Sequence, residues 1–375
     1  MNSNPEKEHE NLRYHLALAL APKIGPSVFK AILAYSGSPK DFFQLTKGKA
    51  SKIPRVGQKL LELQRQAESL LRNADEVISQ CLKKNYQILV STSESFPKRL
   101  KAIEDGPIIL FSQGKGDLNF ERSVGIVGTR SATNYGKSIT RKIVEDLAIF
   151  QPVIISGLAY GIDIEAHRAA LQVGLPTLAI MGSPLNQIYP AAHKNTAIQL
   201  QDTGNLLSEY APGSKMMPGN FPARNRIIAG LSDALIVVEA AEKGGALITA
   251  EIAFSYDKEV FAVPGNLQST FSEGCNHLIK KMKASIYTGP GDIADALFWS
   301  KPGEEKIKKP ILDLSGRNEE EKAILSHLQT KGESEIDLIS YATEIPLGIL
   351  SSKLLSLEFE GVVKSLPGKK FKLLV

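Results

Sequence analysis

Seven short apolar runs dominate the middle of this chain. They are Tyr86–Val90, Pro107–Phe111, Val124–Val127, Val153–Ser156, Thr177–Met181, Leu235–Glu239 and Glu259–Val263. Helical patterns lie between most of them. Ile139, Ile143 and Leu147 stand at i, i+4 and i+8, and Ala166, Ala170 and Val173 continue this spacing. Continuous apolar strands separated by amphipathic helices imply a parallel sheet covered on both faces. The expected fold class is therefore α/β, a Rossmann-like doubly wound parallel sheet over residues 86–298. Ligands of such sheets bind beyond the C-terminal ends of the strands. The glycine-rich segments of this chain sit at those ends.

At 375 residues the chain is long enough for two or three domains. Residues 1–85 are expected to form a helical domain. Pro22-Lys23-Ile24-Gly25 recurs 32 residues later as Pro54-Arg55-Val56-Gly57, and each copy precedes an apolar-periodic helix. This pairing reads as a helix-hairpin-helix (SAM-like) unit, whose backbone N–H groups can meet a DNA phosphate, or as a small helical packing domain. Residues 299–316 read as a linker, because Lys301 to Pro310 is charged, holds two prolines and has no period. Residues 317–375 read as a winged helix. Asn318 and Glu321 make a capping box, helices follow over Ile336–Ala342 and around Ile349–Leu357, and a hairpin ends the chain. The third helix carries Lys353 as its one base, poor equipment for reading DNA. Protein docking, or weak contact through Lys369, Lys370 and Lys372, is at least as good an account.

Net charge is +5, but its distribution says more. Residues 1–85 carry 14 basic and 8 acidic side chains, residues 86–298 carry 19 and 20, and residues 299–375 carry 12 and 12. Overall basicity is thus no signal of a polyanion at the sheet. The two cysteines, Cys81 and Cys275, exclude a disulfide scaffold and a cysteine-based zinc finger. No stretch reaches the roughly 18 apolar residues of a membrane span, and the polar Met1–Glu10 does not read as a signal peptide. A reducing cytoplasm is the expected compartment.

Four loops carry the chemistry. The first is Gly125-Ile126-Val127-Gly128-Thr129-Arg130, running on to Gly136-Lys137-Ser138. Backbone N–H groups, a helix dipole and a guanidinium suit an anion there. The G-x-G-x-x-G pattern of a dinucleotide site is missing, and a Walker A loop would need glycine at Ser131. The second is Ser156-Gly157-Leu158-Ala159-Tyr160-Gly161-Ile162-Asp163. His167 follows Asp163 at i+4, a spacing open to a metal pair but better read as a hydrogen-bonded interior residue. The third is Phe221-Pro222-Ala223-Arg224-Asn225-Arg226. Two arginines in the first turn of a helix oppose its dipole and suggest an anion. The fourth is Glu239-Ala240-Ala241-Glu242-Lys243-Gly244-Gly245, which opens a helix as another phosphate nest. It half-matches the P-G-G-x-G-T-x-x-E motif of nucleotide phosphoribohydrolases, with Gly244, Gly245 and Glu251 in place. Four nests along one sheet edge suit a polyanion better than a mononucleotide. Tyr135, Tyr160, Tyr189 and Phe221 are candidate stacking platforms.

The ordered motifs make this more specific. Gly-x-Val-Gly-Thr-Arg, Ser-Gly-x-Ala-x-Gly-Ile-Asp-x-x-Ala-His, Phe-Pro-x-Arg-Asn-Arg-Ile-Ile-Ala-Gly-Leu-Ser, Val-Val-Glu-Ala, Gly-Ala-Leu-Ile-Thr-Ala and Ala-Val-Pro-Gly occur in that order over roughly 90–295. This resembles the DNA-processing protein A (DprA or Smf) family. The resemblance implies a non-catalytic protein that binds single-stranded DNA, protects incoming strands in natural transformation, dimerises and helps load the RecA recombinase. Carried over, the DNA-binding residues are Gly128, Thr129 and Arg130, Ser156, Gly157 and Gly161, Arg224, Asn225 and Arg226, and Lys243, Gly244 and Gly245. No cofactor, metal or catalytic residue is implied. The family's serine after the basic residue is Gly244 here, which removes a hydroxyl donor but keeps the backbone nest. Two enzyme readings stand beside this one: a nucleoside 5′-monophosphate hydrolase using Arg226 and Glu251, and a P-loop-like ATPase using Lys137.

Overall fold

The apolar runs pair into one sheet. Its strands are β1 (Gln87–Val90), β2 (Ile109–Gly114), β3 (Ser123–Val127), β4 (Val153–Ser156), β5 (Thr177–Met181), β6 (Asn205–Ser208), β7 (Ala234–Val237), β8 (Glu259–Ala262) and β9 (Ser285–Ile286). The order across the sheet is β1-β2-β6-β5-β4-β3-β7-β8-β9. The computed structural model describes residues 5–46, 62–300, 317–366 and 369–374. From β6 to β9 every pairing is parallel, as the doubly wound reading expects. β1 and β2 are not part of that pattern: β1 pairs antiparallel with β2, and β2 antiparallel with β6.

Burial follows the period of two. Val124, Ile126, Ile154 and Ile236 pack on one face with Ile143, Leu147 and Ala166 of the helices Asn134–Leu147 and Ile162–Gln172. Val127, Ile155, Leu235 and Val237 point to the other face, against the helices Asn220–Leu231 and Gly245–Ser255. Each fully buried isoleucine here contributes roughly 1.5–3 kcal/mol by leaving water.

The N-terminal helices Pro5–Ala19, Pro26–Ser36 and Ala67–Lys84 do not stand apart from the sheet. One core joins Leu16, Phe29, Ile32 and Phe42 to Phe111 of β2 and to Ala179 and Met181 of β5. The chain accordingly divides as Met1–Trp299 and Ser300–Val375, with no break near residue 85. The turn Pro22–Gly25 joins two helices as expected, but the left-handed residue is Lys23, and Gly25 caps the next helix in extended backbone. The second copy, Pro54–Gly57, lies outside the described residues, as do Lys301–Pro310 of the expected linker and Pro367-Gly368.

The C-terminal unit is a winged helix. Helices Glu319–Lys331, Ile336–Thr343 and Leu347–Phe359 surround Ile324, Leu328, Leu350 and Leu354. Strands β10 (Glu333–Glu335), β11 (Val363–Leu366) and β12 (Lys370–Leu373) pair in the order β10-β12-β11. Asn318 caps the first helix by accepting from the Glu321 amide at 2.9 Å. Lys353 is engaged by Glu320 and Glu321 at 3.6 and 3.4 Å, so even the third helix's one base is partly neutralised.

Candidate nucleic-acid interface

The chain runs outward from β3 through β4, β5 and β6, then returns to β7 on the other side of β3. The loops after β3 and β7 therefore part at the topological switch point, where a doubly wound sheet leaves a crevice. A crevice of about 400 Å³ opens there. The loop after β3 supplies Gly128, Thr129 and Arg130 to one wall. The segment after β7 supplies Gly244 and Gly245, and the helix Asn220–Leu231 supplies Phe221, Arg224 and Asn225. Seven of the twelve expected residues thus meet in one place: Gly128, Thr129, Arg130, Arg224, Asn225, Gly244 and Gly245.

The four expected nests are not equivalent. At the helix Asn134–Leu147 the N-cap is Thr133, whose hydroxyl accepts from the Gly136 amide at 3.1 Å. Glu239 then accepts from the Thr133 amide at 3.0 Å and its hydroxyl at 2.6 Å. The protein's own carboxyl group thus takes up the donors of the residue that caps this helix. At the second loop, Asp163 accepts from the Gly157 amide at 3.1 Å and lies 3.4 Å from the Ala159 amide. That nest is filled as well. The third segment starts its helix at Asn220, two residues before Pro222, so Arg224 and Arg226 lie beyond the first turn and the dipole argument for them fails. Only the fourth is open. Gly244 caps the helix Gly245–Ser255 without a side chain, and its φ, ψ of −76°, 147° is extended. The Leu247 amide bonds the Gly244 carbonyl at 3.1 Å, which leaves the amides of Gly245 and Ala246 without a partner at the start of that helix, and both residues line the crevice.

Several expected contacts serve the interior instead. Ser156 is fully buried and donates to the Ile126 carbonyl at 2.6 Å. Gly157 makes room for Arg224, since a Cβ there would fall 2.4 Å from the guanidinium. Arg224 is 4% exposed and donates from Nη1 to the carbonyls of Gly157 and Ile180. Its Nε has no partner, in a side chain that lines the crevice. Burial pulls this guanidinium down to about 10, against the opposing charge of Asp163. The Asp163 carboxyl is pushed up by its own burial and held back by Arg224 and the two amides. Arg226 donates from Nη2 to Glu209 at 2.6 and 2.8 Å, while its buried Nη1 has no partner among the described residues. Gly161 adopts φ +76°, and a Cβ there would lie 2.1 Å from the Thr129 carbonyl, so glycine lets the two loops touch. Lys243 is exposed beside the open nest.

On or beside these loops, Arg130, Lys137, Arg168 and Lys243 make no ion pair within the described residues. Lys137 and Arg168 were not among the expected contacts. Arg130 is exposed, with its guanidinium 5.9 Å from the Phe221 ring centre. Glu251 bonds Lys283 and Arg226 bonds Glu209, so the two are not paired with each other as the hydrolase reading needs.

His167 is interior, not a ligand group. Thr177 gives its hydroxyl proton to the Ile154 carbonyl at 2.8 Å, so it accepts from His167 Nδ1 at 2.7 Å. The neutral ring is thereby fixed, and burial pulls its pKa down to about 3. The unfolded chain therefore binds this proton at a higher pH than the folded one. Stability present above about 6.5 is lost as pH falls towards 3. Between pH 7 and 5 His167 alone costs about 2 kcal/mol. Urea melts of wild type and His167→Gln at both pH values check this. An identical pH dependence in the two proteins would rule out the assignment.

The family model for DNA recombination-mediator protein A matches residues 87–298, and that for the DprA winged helix domain matches residues 310–369. Protein Smf of Synechocystis sp. is 32% identical over 394 residues, covering 96% of this chain and 98% of its own. DNA processing protein DprA of Streptococcus pneumoniae is 40% identical over 58% of this chain and 78% of its own. The X-ray structure of the Streptococcus pneumoniae protein superposes with a TM-score of 0.57 at 31% identity, over 75% of this chain and all of that one. A structure of DNA processing protein A from Helicobacter pylori, described for its single-stranded DNA binding mode, gives 0.51 at 32% identity, over 57% of this chain and 95% of that one. Two domain models in sequence order, and a relative aligned almost end to end, place this chain in the DNA recombination-mediator protein A (DprA/Smf) family.

Proposed function

We propose that this protein binds single-stranded DNA by its phosphate backbone, without reading sequence, and acts as a non-catalytic recombination mediator. One observation carries this: an uncapped helix N-terminus at Gly244–Gly245 faces Arg130 across the crevice at the switch point. Open amides and a free guanidinium make an anion site, and the buried Arg224 guanidinium adds its charge from the wall. No base edge is needed to satisfy any of them. The DNA-binding residues in this reading are Gly128, Thr129, Arg130, Asn225, Lys243, Gly244 and Gly245, with Gly157, Gly161 and Arg224 holding the walls. The single-stranded DNA binding described for the Helicobacter pylori relative supports the choice of ligand. Handing the strand to RecA during natural transformation, and working as a homodimer in the cytoplasm, complete the proposal. Free buried thiols at Cys81 and Cys275 suit a reducing compartment, and no described helix is long and apolar enough to cross a membrane.

The enzyme readings lose their parts. Glu239 takes up the donors of the helix-capping Thr133, and Arg226 and Glu251 are each paired with another residue. A gel-shift series with single- and double-stranded oligonucleotides over a range of salt tests the proposal. Single strands are expected to bind more tightly, with a log–log salt slope near −2 for about three phosphates. Equal affinity for both forms, or no shift, would overturn it. Release of free base from a nucleoside monophosphate would restore the hydrolase.

A further inference from the structure

Arg130 is shared between two concavities. The first is the crevice just described. The second, about 490 Å³, lies on the far side of the contact between the Thr129 and Gly161 loops. Arg130, Lys137, Tyr160, Arg168 and His193 line it. We propose that this second concavity is a further nucleotide subsite on the same strand, in which Tyr160 stacks a base while Arg168 and Lys137 hold the next phosphate. The proposal rests on the reading of the first crevice as a single-strand site.

Tyr160 is half exposed, at 49%. Its ring is not loose: His193 meets it at 4.8 Å between centroids and 72° between planes. His193 is itself fixed, with Nδ1 2.7 Å from the Leu158 carbonyl. A half-exposed ring braced by a fixed neighbour is a stacking platform with little entropy left to lose. Charge points the same way. Lys137 and Arg168 make no ion pair within the described residues. The one acidic side chain lining the concavity is Glu165, which Arg141 binds at 3.1 Å. Cations therefore outnumber uncompensated acids around an aromatic face. That is the chemistry of a nucleotide, with a π surface and an anion side by side.

The Thr129 and Gly161 loops meet between the concavities. The Ile162 amide donates to the Thr129 carbonyl at 3.2 Å, directly beside Gly161. Arg130 stands at that contact and lines both concavities. A strand crossing it meets in turn the open nest, the Arg130 guanidinium and the Tyr160 platform.

A length series of oligothymidylates tests this, with thymidine monophosphate as the free-nucleotide arm. Wild type is compared with Arg130→Ala, Arg168→Ala, Tyr160→Ala and Tyr160→Phe. Tyr160→Ala is expected to weaken longer oligonucleotides by roughly five- to a hundredfold, the worth of one stacked base. Tyr160→Phe keeps wild-type affinity. Arg168→Ala lowers the salt slope by about 0.7. Neither Tyr160→Ala nor Arg168→Ala changes binding of the shortest oligonucleotide that binds at all, whereas Arg130→Ala weakens every length. Photocrosslinking of an oligonucleotide carrying 5-iododeoxyuridine is expected to label the peptide that contains Tyr160. If both variants bind every length like wild type while Arg130→Ala is impaired, the second subsite is refuted and the first crevice stands. Equal loss for monophosphate and long strands would mean a free-nucleotide pocket and would refute the continuous path. No binding of any oligonucleotide by wild type would overturn the single-strand reading and this proposal with it.

Discussion

Arg130→Ala is expected to lose roughly ten- to a hundredfold in affinity for single-stranded DNA, the worth of one charge-assisted bond to a phosphate. The loss falls alike on every sequence, because backbone contacts carry no base information. The salt slope drops by about 0.7 to 1. The fold is expected to be untouched. The side chain is exposed, and its recorded partner is the Phe221 ring at 5.9 Å. Arg226→Ala supplies the contrast. Arg226 is paired with Glu209, so its removal lowers stability and leaves the slope where it was. Titrations of a labelled oligonucleotide at four salt concentrations, with melting curves for each variant, separate the two cases. Wild-type affinity in Arg130→Ala would remove that residue from the contact set.

Asp163→Ala is expected to be the most damaging single change near the crevice, at about 3–5 kcal/mol. Asp163 is 7% exposed and supplies the negative charge that opposes the buried Arg224. Its loss leaves that guanidinium uncompensated and strands the Gly157 amide. For a unit of this size the melting temperature falls on the order of 10 °C. Asp163→Asn keeps an acceptor for the amide but not the charge, and lands between. Because Arg224 ties Gly157 to Ile180, the loosened loop also carries the crevice wall with it. Differential scanning calorimetry reads the first effect and oligonucleotide titration the second. A melting temperature within a degree or two of wild type would show that Asp163 does not balance Arg224.

The parallel strands were legible because continuous apolar runs such as Val153–Ser156 leave no wet face. Their direction was not: Tyr86–Val90 and Pro107–Phe111 read the same whether parallel or antiparallel, and both turned out antiparallel. β6 was missed because its four residues, Asn205–Ser208, begin and end in polar side chains that bond inside the fold. The crevice was legible as glycines at strand ends. What hid there was occupancy. Asp163 stands in the first turn of the helix that follows its own loop, and an acid in that position is a signal that the nest is already taken; Glu239 reaches Thr133 from 106 residues away, which no local spacing announces. Pro222 misled differently, since it resembles a first helical residue but stands third. No spacing rule ties Arg224 to the carbonyls of Gly157 and Ile180, 67 and 44 residues away.

The two self-filled nests bear on how long a strand stays bound. Had all four helix starts been open, each would add an anchor, and a strand would leave only by breaking them together. Dissociation slows steeply as such anchors multiply, because affinity differences reside mostly in the off-rate. With Glu239 and Asp163 holding two positions, the grip comes down to a few points that release one at a time. In the proposed role, a segment that peels away from the open nest is exposed to a recombinase before the rest lets go, and limited residence is what such a carrier needs.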